Sequence, residues 1–205
     1  MRSLLPVALL IASVAAQGES ADRADPAERY SYCITCHGTE GRGNLGVEAP
    51  RIGGMEDWYI TRQLTGFRAG WRGTHEDDYN GNVMRTMAIA LEDDADLAAA
   101  AAWFAAMPVQ ETPDTVTGDA EHGRQLFTTC VACHGEQAEG NPGMQAPALA
   151  DQSDWYLVTQ LQHYRDGVRG AVPGDVYGAQ MRAMAATLTT DDDILDLVAY
   201  INTLD

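Results

Sequence analysis

The chain has 205 residues and a formal net charge of −17, from 30 acidic residues against 13 basic ones, all of which are arginine. This charge argues against nucleic acid and anionic membranes as partners, because phosphate binding requires a basic patch. A basic docking site on a partner protein would complement it, although solubility in a salty medium explains the acidic residues equally well. The length allows one or two domains.

The first 16 residues have the pattern of a secretory signal peptide. Arg2 precedes an apolar run from Leu4 to Ala16 that ends in small residues, which is the order of a signal sequence and its cleavage site. The run is shorter than a transmembrane helix, and an uncleaved anchor is the alternative interpretation. We therefore expect cleavage of residues 1–16 and an exported, periplasmic protein that meets a membrane only through partner complexes.

The first half of the chain predicts three helices. The first spans residues 26–36 and runs into the motif C-I-T-C-H, which begins at Cys33. The second begins at the D-W-Y of residues 57–59, after which apolar residues recur at helical spacing. The third follows a pair of methionines and begins near Asp93, since acidic residues favour the first turn of a helix. No alternation typical of strands is present, so the predicted fold class is all-α.

Residues 109–118, VQETPDTVTG, predict a linker, because they combine proline, threonine and acidic residues with little to bury. Beyond them the same order returns: a shift of 97 residues aligns the two halves without a gap, and Cys33 falls on Cys130. A tandem duplication predicts two similar domains, residues 17–108 and residues 119–205. Residues kept in both copies are candidates for a shared task.

All four cysteines of the chain lie in two C-x-x-C-H motifs. The motif residues are Cys33, Cys36, His37, Cys130, Cys133 and His134. This motif attaches c-type haem: both thiols add to vinyl groups, and the histidine becomes an axial iron ligand. A thioredoxin-like pair does not need the histidine, and a zinc site from these cysteines would have to bridge the copies. We therefore expect two covalently bound haem c groups, each forming much of the core of a small domain.

The sixth ligand of each haem iron is a methionine, a second histidine or absent. The histidines outside the motifs are His75, His122 and His163. None of them recurs in the other copy, so we predict that they are surface residues. The methionines that recur are Met84 with Met181 and Met87 with Met184. A thioether suits haem iron and raises its reduction potential, so one member of each pair is expected to be the ligand and the other to pack near the ring.

The motifs, their order and the duplication resemble the di-haem cytochromes c4, a group of bacterial periplasmic proteins, over nearly the whole chain after the signal peptide. The selective features are the paired C-x-x-C-H motifs, Y-I-T-R-Q-L-T-G-F-R-A-G with its copy Y-L-V-T-Q-L-Q-H-Y-R-D-G, and M-x-x-M-A-x-x-L before an acidic helix start. In this family the ligating methionine lies seven residues before the leucine that precedes the last helix. The resemblance therefore implies Met84 and Met181 as ligands, with Met87 and Met184 as the alternatives.

The resemblance also implies further contacts around each haem. In the family a proline carbonyl after the haem motif accepts a hydrogen bond from the ligand histidine, which orients the ring, and Pro50 and Pro147 match this position. Four arginines are candidates for haem propionates, for the domain interface or for solvent-exposed positions: Arg68, Arg72, Arg165 and Arg169. The second copy has Gly123 where the first has Pro26, so the close helix crossing that glycine permits is expected in the second copy and left open in the first.

The function that this resemblance implies is electron transport and not catalysis. The protein would be a di-haem electron carrier of a respiratory chain, with a cytochrome bc complex as donor and a terminal oxidase as acceptor. The alternative is the di-haem electron-transfer subunit of a dehydrogenase, such as a flavocytochrome c sulfide dehydrogenase. A peroxidase or gas-binding cytochrome would need an open iron, and a methionine available in both copies argues against it.

Overall fold

The computed structural model describes residues 25–204, and its regular elements are helices joined by loops. In the first half they are α1 (Pro26–Tyr30), α2 (Ile34–His37), α3 (Asp57–Arg68), α4 (Tyr79–Ile89) and α5 (Asp94–Ala105). In the second half they are α6 (Ala120–Phe127), α7 (Val131–His134), α8 (Asp154–Asp166), α9 (Val176–Ala185) and α10 (Asp191–Ile201). Short 3₁₀ turns cover Ser31–Cys33, Thr39–Gly41, Leu45–Val47 and Pro142–Met144. The predicted signal peptide, residues 1–16, lies outside the described residues.

The all-α prediction is confirmed for residues 25–204. The only β-pairing there consists of two isolated bridges, which link Asn44 to Ala49 and Asn141 to Ala146. The helix that begins at each D-W-Y motif and the last helix of each half lie where the sequence predicted them, and Thr190 caps the start of α10. None of the helices in this part of the chain has the length and apolar character needed to cross a bilayer.

The structure differs from the prediction in two respects. The first predicted helix, residues 26–36, is interrupted, because α1 is short and a 3₁₀ turn leads from it into α2. Its counterpart in the second half is interrupted too, since α6 ends at Phe127 and α7 begins at Val131. The recurring methionines lie on helices of their own, α4 and α9, and not in the approach to the last helix. Asp78 and Asp175 cap the starts of these two helices: their carboxylates accept hydrogen bonds from the backbone N–H of Gly81 and Gly178 at 3.0 and 2.9 Å.

Each half has its own apolar core, built mainly from the helix before the haem motif, the helix that begins at D-W-Y and the last helix. The buried residues of the first half include Tyr30, Ile60, Leu97 and Phe104. Those of the second half include Phe127, Leu157, Ile194, Leu197 and Ile201. Burial of these side chains stabilises the three helices and places the motif helix, the D-W-Y helix and the methionine helix around one cavity in each half.

The helix before the haem motif is anchored differently in the two halves. In the second half α6 crosses α10 so closely that a Cβ on Gly123 would lie 1.9 Å from the carbonyl oxygen of Asp196. In the first half α1 is fixed by hydrogen bonds to Asp96 of α5: the Tyr30 hydroxyl donates at 2.7 Å and Nε of Arg29 at 2.6 Å. The crossing that glycine permits is thus replaced in the first half by a polar anchor.

Residues 109–118, the predicted linker, have no regular secondary structure. Near the end of this segment the backbone N–H groups of Thr115 and Val116 donate to one carboxylate oxygen of buried Asp154, at 2.5 and 2.7 Å. At its start Val109 packs against the first half. The segment is therefore attached to a different half at each end.

Candidate functional site

Each half of the molecule contains a cavity beside its C-x-x-C-H motif. The first cavity has a volume of about 420 Å³ and the second of about 340 Å³. The predicted site residues that line the first cavity are Cys33, Cys36, His37, Pro50 and Met84. Those that line the second are Cys130, Cys133, His134, Pro147 and Met181. The fold thus brings the predicted set of each half together around one space.

The motif cysteines are available for bond formation. None of the four forms a disulfide bond. Burial raises the pKa of the Cys33 thiol to about 11 and also raises the pKa of the Cys130 thiol, so before haem is attached both are neutral at neutral pH. The first cysteine of each motif precedes a short helix and the second lies within it, and their spacing places both on the side of the helix that faces the cavity.

The motif histidines are buried and held in one tautomer. Nδ1 of His37 lies 2.8 Å from the carbonyl oxygen of Pro50, and Nδ1 of His134 lies 2.8 Å from that of Pro147. A carbonyl oxygen can only accept, so Nδ1 carries the proton and Nε2 keeps its lone pair. Burial lowers the pKa of both histidines, which keeps the rings neutral. Each cavity therefore contains a neutral imidazole with one nitrogen available to a metal.

A short loop holds each proline carbonyl in place. In the first half Asn44 and Ala49 pair through two backbone hydrogen bonds of 2.7 and 3.0 Å, which fix the chain directly before Pro50. Gly43 has a φ of +92°, and a Cβ there would lie 2.8 Å from the backbone nitrogen of Arg51, so this turn requires glycine. The second half repeats the arrangement. This glycine had no predicted role, although its recurrence in both copies was a usable signal.

The two methionines of each pair both line the cavity but differ in burial. Met84 and Met181 are half-buried, whereas Met87 and Met184 are each 40% exposed. A thioether bound to an iron inside the cavity would be shielded from water, so the difference favours Met84 and Met181.

The residues of both cavities fit a haem c. Two thiols at the required spacing, a neutral histidine with a free nitrogen and a methionine surround a space lined mainly by carbon. The family model for cytochrome c matches residues 27–108 and 120–205. The chain belongs to the cytochrome c family. Its tandem arrangement confirms the resemblance to the di-haem cytochromes c4, and the protein is an electron-transfer cytochrome with two haem c groups.

Individual relatives agree with this assignment. The cytochrome is 32% identical to the thiosulfate dehydrogenase electron acceptor of Stutzerimonas stutzeri, over 96% of this chain and 92% of that protein. It is 26% identical to cytochrome c4 of Azotobacter vinelandii over 99% of both chains. The solved structure of Acidithiobacillus ferrooxidans cytochrome c4 superposes with a TM-score of 0.69 at 29% identity, and covers 85% of this chain and 99% of that chain.

The histidines outside the motifs of this cytochrome fall into two groups. His75 and His122 have side chains that are 41% and 44% exposed, which confirms the surface prediction for them. The prediction is wrong for His163, whose side chain is 20% exposed, lines the first cavity and lies 3.8 Å from the carboxylate of Asp78. His163 belongs to the second half, and only the packing of one half on the other buries it.

The four candidate arginines of the cytochrome also divide in two. Arg68 pairs with Asp94 at 3.1 Å and Arg165 pairs with Asp166 at 2.8 Å, in both cases with exposed carboxylates. Arg72 and Arg169 are 8% and 5% exposed and lie between the two halves. The first two are surface ion pairs, and the last two belong to the domain interface.

Each haem cavity of the cytochrome is completed by the opposite half. Residues of the second half that line the first cavity include Trp155, Tyr156, Gln160 and His163. Residues of the first half that line the second cavity include Tyr59, Arg62, Gln63 and Trp71. Sequence reasoning missed this sharing, although the recurrence of the D-W-Y and Q-L segments in both copies was the signal that could have found it.

Proposed function

We propose that this cytochrome is a periplasmic electron carrier of a respiratory chain, which accepts electrons from a cytochrome bc complex and delivers them to a terminal oxidase. The observation that carries the proposal is the pairing of a buried neutral histidine with a half-buried methionine in each cavity, His37 with Met84 and His134 with Met181. Two side-chain ligands fill the coordination positions of a haem iron that the ring nitrogens leave open. An iron without an open position exchanges electrons without binding a substrate.

In this proposal the residues of each cavity have separate tasks. Cys33 and Cys36 would hold the first haem through thioether bonds, and Cys130 and Cys133 of the second motif would do the same for the second. The histidines would bind iron through Nε2, while the carbonyls of Pro50 and Pro147 fix the ring and increase its basicity. Met84 and Met181 would each supply a thioether sulfur to the iron. When bound, haem c supplies reversible one-electron chemistry at its iron.

The proposal includes the division of the chain. Residues 1–16 are a signal peptide that is cleaved on export, residues 17–108 and 119–205 are the two cytochrome domains, and residues 109–118 connect them. The match of the family model to residues 27–108 and 120–205 supports these boundaries. The net charge of −17 supports a redox partner with a basic docking surface.

A second candidate function is that of electron acceptor to a dehydrogenase. The observation that favours it is the 32% identity, over 96% of the chain, to a protein named as the electron acceptor of thiosulfate dehydrogenase. A dehydrogenase of reduced sulfur compounds, of which a flavocytochrome c sulfide dehydrogenase is another kind, would then be the donor. Purification of the cytochrome in a stable complex with such an enzyme would favour this candidate, and purification as a free protein would favour the carrier.

The axial ligands are tested by exposing the reduced protein to carbon monoxide, which binds ferrous haem only where a coordination position is open. We expect the optical spectrum of the wild type to be unchanged. Met84→Ala and Met181→Ala should each open one haem, so that about half of the haem absorbance shifts. Met87→Ala and Met184→Ala are matched controls on the same helices, and we expect both to keep the wild-type spectrum.

Two results would contradict parts of this proposal. Binding of carbon monoxide by the wild type would show an open iron, and the carrier function would have to give way to catalysis or gas binding. If Met87→Ala and Met184→Ala bind carbon monoxide while Met84→Ala and Met181→Ala do not, the iron ligands are Met87 and Met184. The proposed carrier function would not be affected.

A further inference from the structure

One histidine outside the haem motifs lies at the boundary between the two domains. His163 belongs to α8 of the second domain, but its side chain lines the cavity of the first domain. The side chain is 20% exposed, so it is largely shielded from water and can still exchange protons with it. Histidine is the side chain whose charge ordinarily changes between pH 5 and 8. A group that can take up a proton therefore faces the space that the first haem would fill.

A buried carboxylate of the first domain lies beside this histidine. Oδ1 of Asp78 is 3.8 Å from Nδ1 of His163. The backbone N–H groups of Gly73 and Gly81 donate to the same carboxylate at 3.2 and 3.0 Å, which holds it in place. An anion at this distance favours the protonated form of an imidazole. The two side chains thus form a site that can hold a proton between the domains.

The charged groups around His163 act on it in opposite directions. Burial lowers the pKa of its imidazole below the ordinary value of about 6.5, whereas Asp78 raises it. Arg72 and Arg169 disfavour a further positive charge, and Asp166 at the end of α8 favours one. The other titratable side chains that line this cavity, apart from the haem motif, are Glu48, Arg51, Asp77, Tyr32, Tyr59, Tyr79 and Tyr156. The imidazole is therefore mainly neutral at pH 7, and a change of charge inside the cavity changes its affinity for a proton.

The second cavity has a glycine where the first has His163. The shift of 97 residues places His163 on Gly66, and Gly66 lines the second cavity. The carboxylate does recur, because Asp175 corresponds to Asp78 and also lines the second cavity. The duplicated arrangement thus keeps its acidic group on both sides and its histidine on one side. An effect of His163 should fall mainly on the first haem, and the second haem is a reference within the same molecule.

We propose that His163 is a proton-binding site linked to reduction of the first haem, an inference that rests on the proposed haem sites. An electron from the donor removes one positive charge from the cavity, so the imidazole becomes more basic. His163 then takes up a proton from water and releases it when the electron leaves. By linkage, the protonated imidazole favours the reduced state of this haem by the same factor. The potential of the first haem is therefore higher in mildly acidic solution than in neutral solution.

The test is a potentiometric titration of the wild type and His163→Gln at pH 5, 6, 7 and 8. In the wild type we expect one of the two potentials to fall by about 59 mV over this range, which for a one-electron couple is a tenfold difference in proton affinity between the two redox states. The other potential should change by less than a third of that amount. In His163→Gln, whose side chain cannot be protonated in this range, neither potential should change by more.

His122→Gln is the matched control, because it removes a histidine that is 44% exposed and lines neither cavity. We expect it to keep the pH dependence of the wild type. Proton uptake is a second measurement: hexaammineruthenium(II) reduces the protein at pH 6 in weakly buffered solution that contains a pH-indicator dye. The wild type should take up about half a proton per chain more than His163→Gln, as a tenfold difference in affinity allows.

Three results would overturn the inference and leave the carrier function intact. They are a wild type with two haems and pH-independent potentials, a pH dependence that persists in His163→Gln, and an equal fall of both potentials in the wild type. If His163→Gln does not fold, His163→Leu replaces it in both measurements, because leucine cannot be protonated either. Haem content, measured as the pyridine haemochrome, separates this inference from the proposed function, since a wild type without two haems would refute the proposed haem sites.

Discussion

Asp96 accepts the hydrogen bonds that fix α1 in the first domain. Its carboxylate accepts hydrogen bonds from Arg29 and Tyr30, and from the backbone N–H of Glu92 at 2.9 Å. The hydrogen bond from Arg29, more than any other contact, holds the pKa of Asp96 well below its ordinary value. Burial and this carboxylate together raise the pKa of Tyr30 to about 12. One side chain therefore ties α1 to the start of α5.

Replacing Asp96 by asparagine should destabilise the first domain in a pH-dependent way. At pH 7 we expect the free energy of unfolding to fall by about 2 kcal/mol, because buried donors lose an ionised acceptor. A lowered folded-state pKa stabilises the protein above the unfolded-state pKa of about 4, and this stabilisation disappears as the pH falls through the folded-state value. The difference between the variant and the wild type should therefore shrink below pH 4.

Chemical denaturation of both holoproteins at pH 7, 5 and 3 measures this difference. Asp94→Asn is the control, since Asp94 lies in the same first turn but its side chain is 99% exposed, and we expect a change below about 0.5 kcal/mol. A destabilisation by Asp96→Asn that is the same at all three pH values would mean that the lost interaction is not that of an ionised carboxylate.

At the residue scale, local spacing decided what the sequence could predict. The haem motifs are local, and the duplication singled out histidines and methionines that the structure places around the cavities, such as His37 with Met84 and Met87. The hydrogen bonds between Arg169 and Gln63 could not be derived in the same way, because these two residues are 106 positions apart in sequence. His163 was misassigned for the same reason, since its burial depends on the other domain.

At the element scale, the first helices of the two domains meet the last helices by different means. Gly123 allows α6 to approach α10, and a Cβ at this position would also lie 2.5 Å from the carbonyl carbon of Asp196 and 2.9 Å from Cβ of Tyr200. Two of these three atoms belong to the backbone, so a rotamer change cannot relieve the contact. The helices would have to separate to accept any side chain.

We therefore expect Gly123→Ala to destabilise the second domain by about 1–3 kcal/mol, even though alanine favours a helix more than glycine does. Thermal or denaturant unfolding of the holoprotein measures the loss. Gln125→Ala on the exposed side of the same helix is the control and should change stability by less than about 0.5 kcal/mol. Equal stability of Gly123→Ala and the wild type would show that the crossing tolerates a methyl group.

The methionine helices are the elements that the sequence did not predict. Both have a glycine in the first turn, Gly81 in α4 and Gly178 in α9, and glycine is a poor helix former. Their side chains also face a cavity and not a core formed by other protein residues, which weakens the apolar periodicity that identifies helices. By contrast, α10 has a capped start and an apolar stripe, and its position could be predicted closely.

At the scale of the whole molecule, the net charge of −17 should control encounters with charged redox reagents. We expect reduction of the oxidised protein by the cation hexaammineruthenium(II) to slow by about tenfold between about 0.01 and 1 M salt, as the Debye length falls from about 30 to about 3 Å. Reduction by the anion ferrocyanide is the control and should accelerate over the same range. Stopped-flow spectroscopy measures both rates, and equal salt dependence for the two reagents would exclude electrostatic steering at the haem sites.

The number and kind of domains could be predicted from the duplication, but their packing could not. A shift of 97 residues reveals similar units and says nothing about which surfaces meet. The structure supplies that arrangement through contacts such as Nε of Arg51 with the carbonyl oxygen of Asp151 at 2.5 Å. Arg51 has no arginine counterpart in the second copy, where Ala148 takes its place, so the duplication gave no hint of it.

Four hydrogen bonds join the side chains of Arg72 and Arg169 to those of Gln63 and Gln160 between the domains. Their pattern is unchanged when the two domains are exchanged, because Arg72 corresponds to Arg169 and Gln63 to Gln160. Such an interface is isologous, the kind that identical subunits form about a rotation axis. A chain with one copy of this unit would hold the arginine and glutamine needed to form the same hydrogen bonds as a homodimer. Joining the copies by residues 109–118 replaces an association that depends on concentration with one inside a single molecule.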